Sequence, residues 1–185
     1  MAQEQIPDLS KAVEKAQAGD SQAFAQIYDA LVKPIYRYIY YRVENEIAED
    51  LTEDTFVKMW QNLDKYKKGV TPFASWAFRI AHNLLVDYYR KNQSTDEIDD
   101  EIADPHERNL PDRQTNLKLT QVRLQKVIRK LPGNYQEIII LKYINELDNR
   151  QIAEVTGKSE GAIRILQFRA LEQLRGFLSP ERDDL

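Results

Sequence analysis

The stretch NRQIAEVTGKSEGAIRILQF, Asn149 to Phe168, meets the requirements of a helix-turn-helix at each position where that motif has one. Ala153 is small where two helices must touch, and Gly157, four residues on, can take the left-handed turn between them. Ser159 can cap the first amides of the second helix, and Ile163 with Leu166 anchors it from below. The outward face then carries Arg164, Phe168 and Arg169, with Glu160 and Gly161 at the tip. In this geometry the first half of the second helix enters the major groove, where Arg can pair with guanine and an apolar group can meet a thymine methyl. The competing reading is an αα-hairpin used only for packing. Residues 116–178, with 11 basic and 6 acidic side chains for a net +5, favour DNA.

Outward from this motif the periodicity is helical almost everywhere. Leu117 to Leu131 reads as a helix ended by Pro132-Gly133, Tyr135 to Ile144 as another, and two shorter helices follow. Upstream, Phe24, Ile27, Tyr28, Leu31, Ile35 and Ile39 recur at three and four, as do Ile47, Leu51, Val57, Trp60 and Leu63, and Phe73, Trp76, Ala77, Ile80, Ala81, Leu84 and Tyr88. Pro34 is expected to interrupt the first of these helices and kink it. Pro72 suits the first turn of the third, where its missing N–H needs no partner. No segment alternates like a strand. The expected fold is all-α: two small helical domains, 20–92 and 116–178, the second a four-helix domain, joined by a flexible linker at 93–115. Short segments, 1–19 and 179–185, flank them.

The net charge of -4, from 26 basic and 30 acidic residues, argues at face value against a nucleic-acid partner. It is unevenly spread. Residues 93–115 hold 2 basic and 8 acidic side chains with Pro105 and Pro111, too little apolar surface to order themselves. Residues 20–92 are neutral but polarised: six acids and no base from Glu44 to Asp54, then Lys65, Lys67, Lys68, Arg79, Arg90 and Lys91 against Asp87 alone from Lys65 to Lys91. With no cysteine, disulfide frameworks and thiolate metal sites are excluded, which suits a cytosolic chain. No apolar run approaches the roughly 20 residues of a membrane span, so no membrane insertion is expected. His82 and His106 make no metal site, the linker acids lack the spacing of a calcium loop, and no cofactor is implied. No cysteine nucleophile, phosphate loop or histidine-based triad supports an enzyme.

Taken together, these blocks resemble the sigma-70 family, specifically the short extracytoplasmic-function (ECF) sigma factors that carry only regions two and four. The resemblance covers about residues 20 to 178. Glu49-Asp50-Leu51-Thr52-Glu53-Asp54-Thr55-Phe56 with Trp60 is similar to region 2.2, which docks on the β′ clamp helices of core RNA polymerase. Phe73 to Asn83 and Asp87 to Lys91 are similar to regions 2.3 and 2.4, which melt and read the minus-ten element. Leu131-Pro132, Glu137, Leu141 and the helix-turn-helix resemble region four, which reads the minus-thirty-five element and touches the polymerase β flap.

The resemblance implies that Glu49, Asp50, Glu53 and Asp54 meet basic residues of the polymerase while Leu51 and Phe56 pack. It implies that Lys67, Lys68, Phe73, Arg79, Asn83 and Arg90 serve the minus-ten DNA. Asn83 holds the base-reading position, and a base pocket lies between the loop Tyr66 to Phe73 and the third helix. Ser159, Glu160, Arg164, Ile165, Phe168 and Arg169 serve the minus-thirty-five DNA. Trp60 and Trp76 read as core filling from their spacing, and His82 as a surface contact. The recognition helix departs from the family: where many members continue with Thr, a basic residue, Ser and Arg, this chain has Ala162, Ile163, Arg164, Ile165 and Leu166, so Ile165 offers an apolar contact instead. The acidic tether either threads toward the polymerase channels as an RNA mimic or is simply solvated. An anti-sigma factor that covers the polymerase-binding surfaces is an implied partner that no residue here identifies. The rival reading is a dimeric helix-turn-helix regulator that binds duplex DNA without polymerase.

Overall fold

The computed structural model describes residues 6–92 and 112–178, with side chains from 121 onward in the second stretch. In chain order the helices are α1 (Ser10–Gln17), α2 (Ser21–Tyr40), α3 (Asn45–Gln61), α4 (Phe73–Asn92), α5 (Asp112–Arg129), α6 (Gly133–Ile139), α7 (Asn149–Thr156) and α8 (Glu160–Leu178). A 3-10 turn, Leu63–Lys65, follows α3, and α6 runs on as a π-helical turn, Ile140–Ile144. Among the described residues there is no strand. The fold is all-α, with the two helical regions that the periodicity predicts.

The amino-terminal unit is built on α2. The Asp20 carboxylate accepts the Gln22 and Ala23 amides at 2.9 and 3.1 Å, which starts the helix. Its Ile27, Leu31, Ile35 and Ile39 are fully buried, each stabilising by roughly 1.5–3 kcal/mol relative to exposure. They pack against Ala48 and Met59 of α3 and Ala77, Phe78, Ala81 and Leu85 of α4. α2 continues through Pro34, which is itself buried, so the expected interruption does not occur.

The segment 1–19, expected to stand apart, contributes α1 to this core. Leu9, Val13 and Ala16, at i, i+4 and i+7, are buried against α2. Gln17 Nε2 then donates to the Leu63 and Tyr66 carbonyls at 2.8 and 2.9 Å. Three small or medium apolar residues among Lys, Glu and Gln are too brief a signal to read from sequence. At the other boundary, α5 begins at Asp112, inside the stretch assigned to the linker, and residues 93–111 lie outside the described residues.

The carboxyl-terminal unit holds α6 at its centre. Ile138, Ile139, Ile140 and Leu141, four consecutive residues, are all buried, so this helix is covered on every side. Asp148 and Gln151 form a reciprocal capping box at the start of α7: the Asp148 side chain accepts the Gln151 amide at 2.8 Å and the Gln151 side chain accepts the Asp148 amide at 2.9 Å. α8 is not short. It runs 19 residues because Ala170 is buried and Leu166, Leu171 and Leu174 extend the packed stripe well past the turn.

One continuous core joins the two units. α4 packs along α7, and the π-helical turn lies against α2. α5 contributes polar ties to the end of α2: Gln125 Nε2 donates to the Tyr40 carbonyl at 2.6 Å, and the Arg129 guanidinium donates to the Val43 carbonyl just beyond it.

Gly157 ends α7 at φ 71°, the left-handed conformation expected of it, and its amide donates to the Ala153 carbonyl at 2.9 Å. A Cβ there meets nothing within 4 Å, so only backbone strain opposes substitution. Gly157→Ala is therefore expected to destabilise the chain by roughly 1–2 kcal/mol, and Gly157→Asn by less, as read from urea unfolding midpoints.

Candidate nucleic-acid interface

Most of the residues singled out by sequence fall on three exposed faces, while Leu51, Phe56 and Phe73 are buried. On α3, Glu49, Asp50, Glu53 and Asp54 are all exposed. Glu49, Glu53, Val57 and Trp60 fall at i, i+4, i+8 and i+11, so they share one side of the helix. Val57 is 52% and Trp60 48% exposed, and Tyr28 of α2 adds a third large apolar group beside them. Trp60 is thus presented rather than buried, resting edge-on against Phe24 at 4.8 Å. Conversely, Leu51 and Phe56, expected on the docking face, lie in the core, where Phe56 packs on the Tyr28 ring at 4.6 Å. The reason is register: α3 has apolar residues on two sides, and its spacing alone does not say which side faces inward.

On α4, Arg79, Asn83, Val86 and Arg90 at i, i+4, i+7 and i+11 form a single exposed stripe. Val86 was not singled out by sequence. Arg90 pairs with Asp87 at 3.0 Å. Before α4, Lys67 and Lys68 stand in an exposed loop, and Lys68 also reaches Glu14 of α1 at 2.6 Å. Phe73 is buried, in a cluster with Tyr66 and Trp76 whose ring centroids lie 5.0 to 5.4 Å apart, and Tyr66 Oη donates to the Thr71 carbonyl at 2.8 Å. These contacts fix the base of the loop.

A cleft of about 790 Å³ borders the loop and the start of α4 at Phe73 and Ala74, with further walls from the segment leading into α1, from Pro34 and Arg37 of α2, and from residues 144–151. Asn83 does not line it. Ten residues separate Phe73 from Asn83, about 15 Å along a helix.

On α8, Arg164, Ile165, Phe168 and Arg169 share the exposed face, with Ile165 55% and Phe168 65% exposed. Ser159 Oγ accepts the Ala162 amide at 3.2 Å, the cap that the sequence suggests. Glu160 reaches Arg164 at 3.6 Å, and Gln167 Nε2 donates to Asn149 Oδ1 at 2.9 Å, locking the two helices of the motif together.

A buried cluster was not anticipated. Glu137 of α6, 3% exposed, enters the amino-terminal unit. Its Oε1 accepts from His82 Nδ1 at 2.6 Å and Tyr38 Oη at 2.9 Å, with Arg42 Nη1 at 3.4 Å, and its Oε2 faces Lys158 Nζ at 3.7 Å. His82 is therefore an inter-unit partner and not a surface contact. Burial alone raises the Glu137 pKa, but the His82 hydrogen bond and the charges of Arg42, His82 and Lys158 outweigh it and hold the group at about 2, below the ordinary 4.5. Burial pushes the Tyr38 hydroxyl well up, so it stays a neutral donor.

A helical unit bearing an exposed Arg, Asn and Arg stripe, joined to a helix-turn-helix with a basic and apolar outer face, defines a DNA-binding transcription protein. Comparison with known proteins gives the class its name: the family model "Sigma-70 region 2" matches residues 27–95 and "Sigma-70, region 4" residues 121–174. The ECF RNA polymerase sigma factor SigW of Bacillus subtilis is 31% identical over 179 residues, 90% of this chain and 95% of SigW. BldN of Streptomyces coelicolor is 34% identical over 92% of this chain, which spans 66% of BldN's length. The chain belongs to the ECF sigma factors of the sigma-70 family. Solved structures share the fold: CnrH in complex with the cytosolic domain of CnrY, with TM-score 0.72, 24% identity and coverage of 96% of this chain and 99% of that one, and RpoE of Bartonella quintana in complex with the anti-sigma factor NepR, with TM-score 0.67, 23% identity and coverage of 86% and 98%. No helix among the described residues is long and apolar enough to cross a membrane.

Because the folded Glu137 pKa is depressed, its contribution to holding the units together is present above about pH 4.5 and is lost as pH falls toward 2. The contribution is roughly 3 kcal/mol when fully developed. With cysteines introduced at exposed Lys58 and Glu172 and labelled, energy transfer between the units is expected to fall through that window. Glu137→Gln should flatten the transition.

Proposed function

We propose that the acidic face of α3, Glu49, Asp50, Glu53 and Asp54 around Trp60 and Val57, docks this sigma factor on the β′ clamp helices of core RNA polymerase. The four acids have no ion-pair partner among the described residues, which supports a basic surface as their complement. Apolar groups at the centre of such a face supply the packing that surface charges alone do not. α8 then reads the minus-thirty-five element through Arg164, Ile165, Phe168 and Arg169, with Ser159 and Glu160 at the tip, while the opposite side of this unit touches the β flap. Lys67, Lys68, Arg79 and Arg90 hold the phosphates of the minus-ten strand, and Asn83 reads a base taken out of the stack. Phe73 acts indirectly, by fixing the loop that carries the two lysines.

The observation that carries this reading is the α4 stripe. Arg79, Asn83, Val86 and Arg90 are exposed together, with the polar reader between two cations and an apolar group beside it. Every amphipathic helix has an outward face; what favours nucleic acid on this one is its content, two Arg and an Asn with no acid in the row. The chain performs no chemistry of its own and works in the cytoplasm, where polymerase and promoter are. An anti-sigma factor restrains it, as the complexes of related fold with CnrY and NepR suggest.

Run-off transcription with core polymerase on a genomic promoter library is expected to yield specific starts. Asp50→Arg should reduce them by roughly tenfold or more by weakening core binding. Asn83→Ala should cost about tenfold in open-complex formation with core affinity kept. Specific starts unchanged in both variants would overturn the assignment, as would binding to duplex promoter DNA that is equally tight without polymerase.

A further inference from the structure

Tyr38 of α2, Arg42 of the turn that follows it and His82 of α4 converge on a single carboxylate oxygen. Each presents a donor to it, at 2.9, 3.4 and 2.6 Å. The array belongs wholly to the amino-terminal unit, whereas the oxygen comes from Glu137 of the other. It is also held firmly. Arg42 Nη1 donates to Tyr38 Oη at 2.9 Å, the guanidinium stands 5.6 Å from the centroids of both the Tyr38 and Tyr89 rings, and Tyr89 Oη donates to the Arg42 carbonyl at 2.7 Å. Arg42 Nε is buried with no hydrogen-bond partner, so the guanidinium meets Glu137 through Nη1 alone. His82 precedes Asn83 on α4, which places this array on the flank of the Arg79, Asn83 and Arg90 stripe.

We propose that Tyr38, Arg42 and His82 form an anion seat, filled by Glu137 in the closed chain and by a backbone phosphate of the opened minus-ten strand once the carboxyl-terminal unit has moved away. Glu137 is then a phosphate mimic, and closing the chain competes with strand binding at one point. The proposal rests on the reading of α4 as the minus-ten helix.

The chemistry favours a phosphate. Arg42 keeps its charge when Glu137 departs, and with Tyr38 and His82 it leaves a cluster of donors whose natural complement is an anion. A phosphate offers more acceptor oxygens than a carboxylate, so it can accept from Tyr38 Oη, Arg42 Nη1 and His82 through separate oxygens. The seat's neighbours on α4 already include the cations proposed to hold that strand. Lys158, which faces the other Glu137 oxygen, travels with the carboxyl-terminal unit and does not belong to the seat.

Two measurements test this on the full chain. For the free protein, binding to a single-stranded oligonucleotide carrying the minus-ten element should strengthen about five- to tenfold in Glu137→Gln, because the charged competitor is gone while shape is kept. For holoenzyme on fork-junction promoter DNA, replacing strand phosphates one at a time by methylphosphonate should reveal one whose neutralisation weakens binding about five- to tenfold in the wild type but less than twofold in His82→Leu. Arg42→Lys, which retains the charge but loses the planar guanidinium that donates to Tyr38 Oη, should lie between them. Unchanged oligonucleotide binding by Glu137→Gln overturns the proposal. So does an Asn83-dependent fork complex with no phosphate coupled to His82 or Arg42, which assigns the seat to protein carboxylates alone. If Asn83→Ala has no effect on the fork complex, the reading of α4 itself fails and the seat falls with it.

Discussion

The carboxylate of Glu137 is held by groups that are 55, 95 and 99 residues away in sequence, and the arrangement of the two units turns on it. Apolar packing between α4 and α7 supplies area but little direction, since hydrophobic contact tolerates sliding. A buried carboxylate does not. It must keep its donors within hydrogen-bond distance or be left charged in a medium that penalises charge. The cluster of Tyr38, Arg42 and His82 therefore fixes which side of α4 the carboxyl-terminal unit covers. It takes the His82 flank and leaves the Arg79, Asn83, Val86 and Arg90 stripe exposed.

That choice separates two properties often treated as one. The closed chain shows the proposed nucleic-acid faces to solvent, on α4 and on α8, yet it holds them at the fixed relation set by α4 lying along α7. The proposed polymerase-docking face of α3 is exposed in the closed form as well.

What was legible in the sequence follows the range of the interactions concerned. The helix-turn-helix was legible almost residue by residue, because the Gly157 turn, the Ser159 cap and the Ile163 anchor are requirements met within a few positions. The α4 stripe was partly legible: Asn83 stands off the apolar row and is exposed, but Val86, apolar and outward, gives no such sign. α1 was missed because Val13 and Ala16 are too weak a pattern in eight residues. On α3, periodicity gave two apolar sides and no means to rank them, so Leu51 and Phe56 were sent outward and Trp60 inward. The Glu137 cluster was illegible for a different reason. A lone Glu in a run ending in Ile138 to Leu141 marks a buried acid only when its partners are known, and those partners lie in the other unit.

The chain has two tryptophans, and the fold puts them at its two working surfaces. Trp60 stands half in solvent on the acidic face of α3, and Trp76 sits in the aromatic cluster that anchors the basic loop. Each indole has its own optical environment: one wet and free to be covered, the other packed at a tilt against Tyr66 and Phe73. The protein thus carries an unlabelled emission signal for each end of its task. A blue shift on capture belongs to the first tryptophan, and a change in quenching when the loop engages a strand belongs to the second.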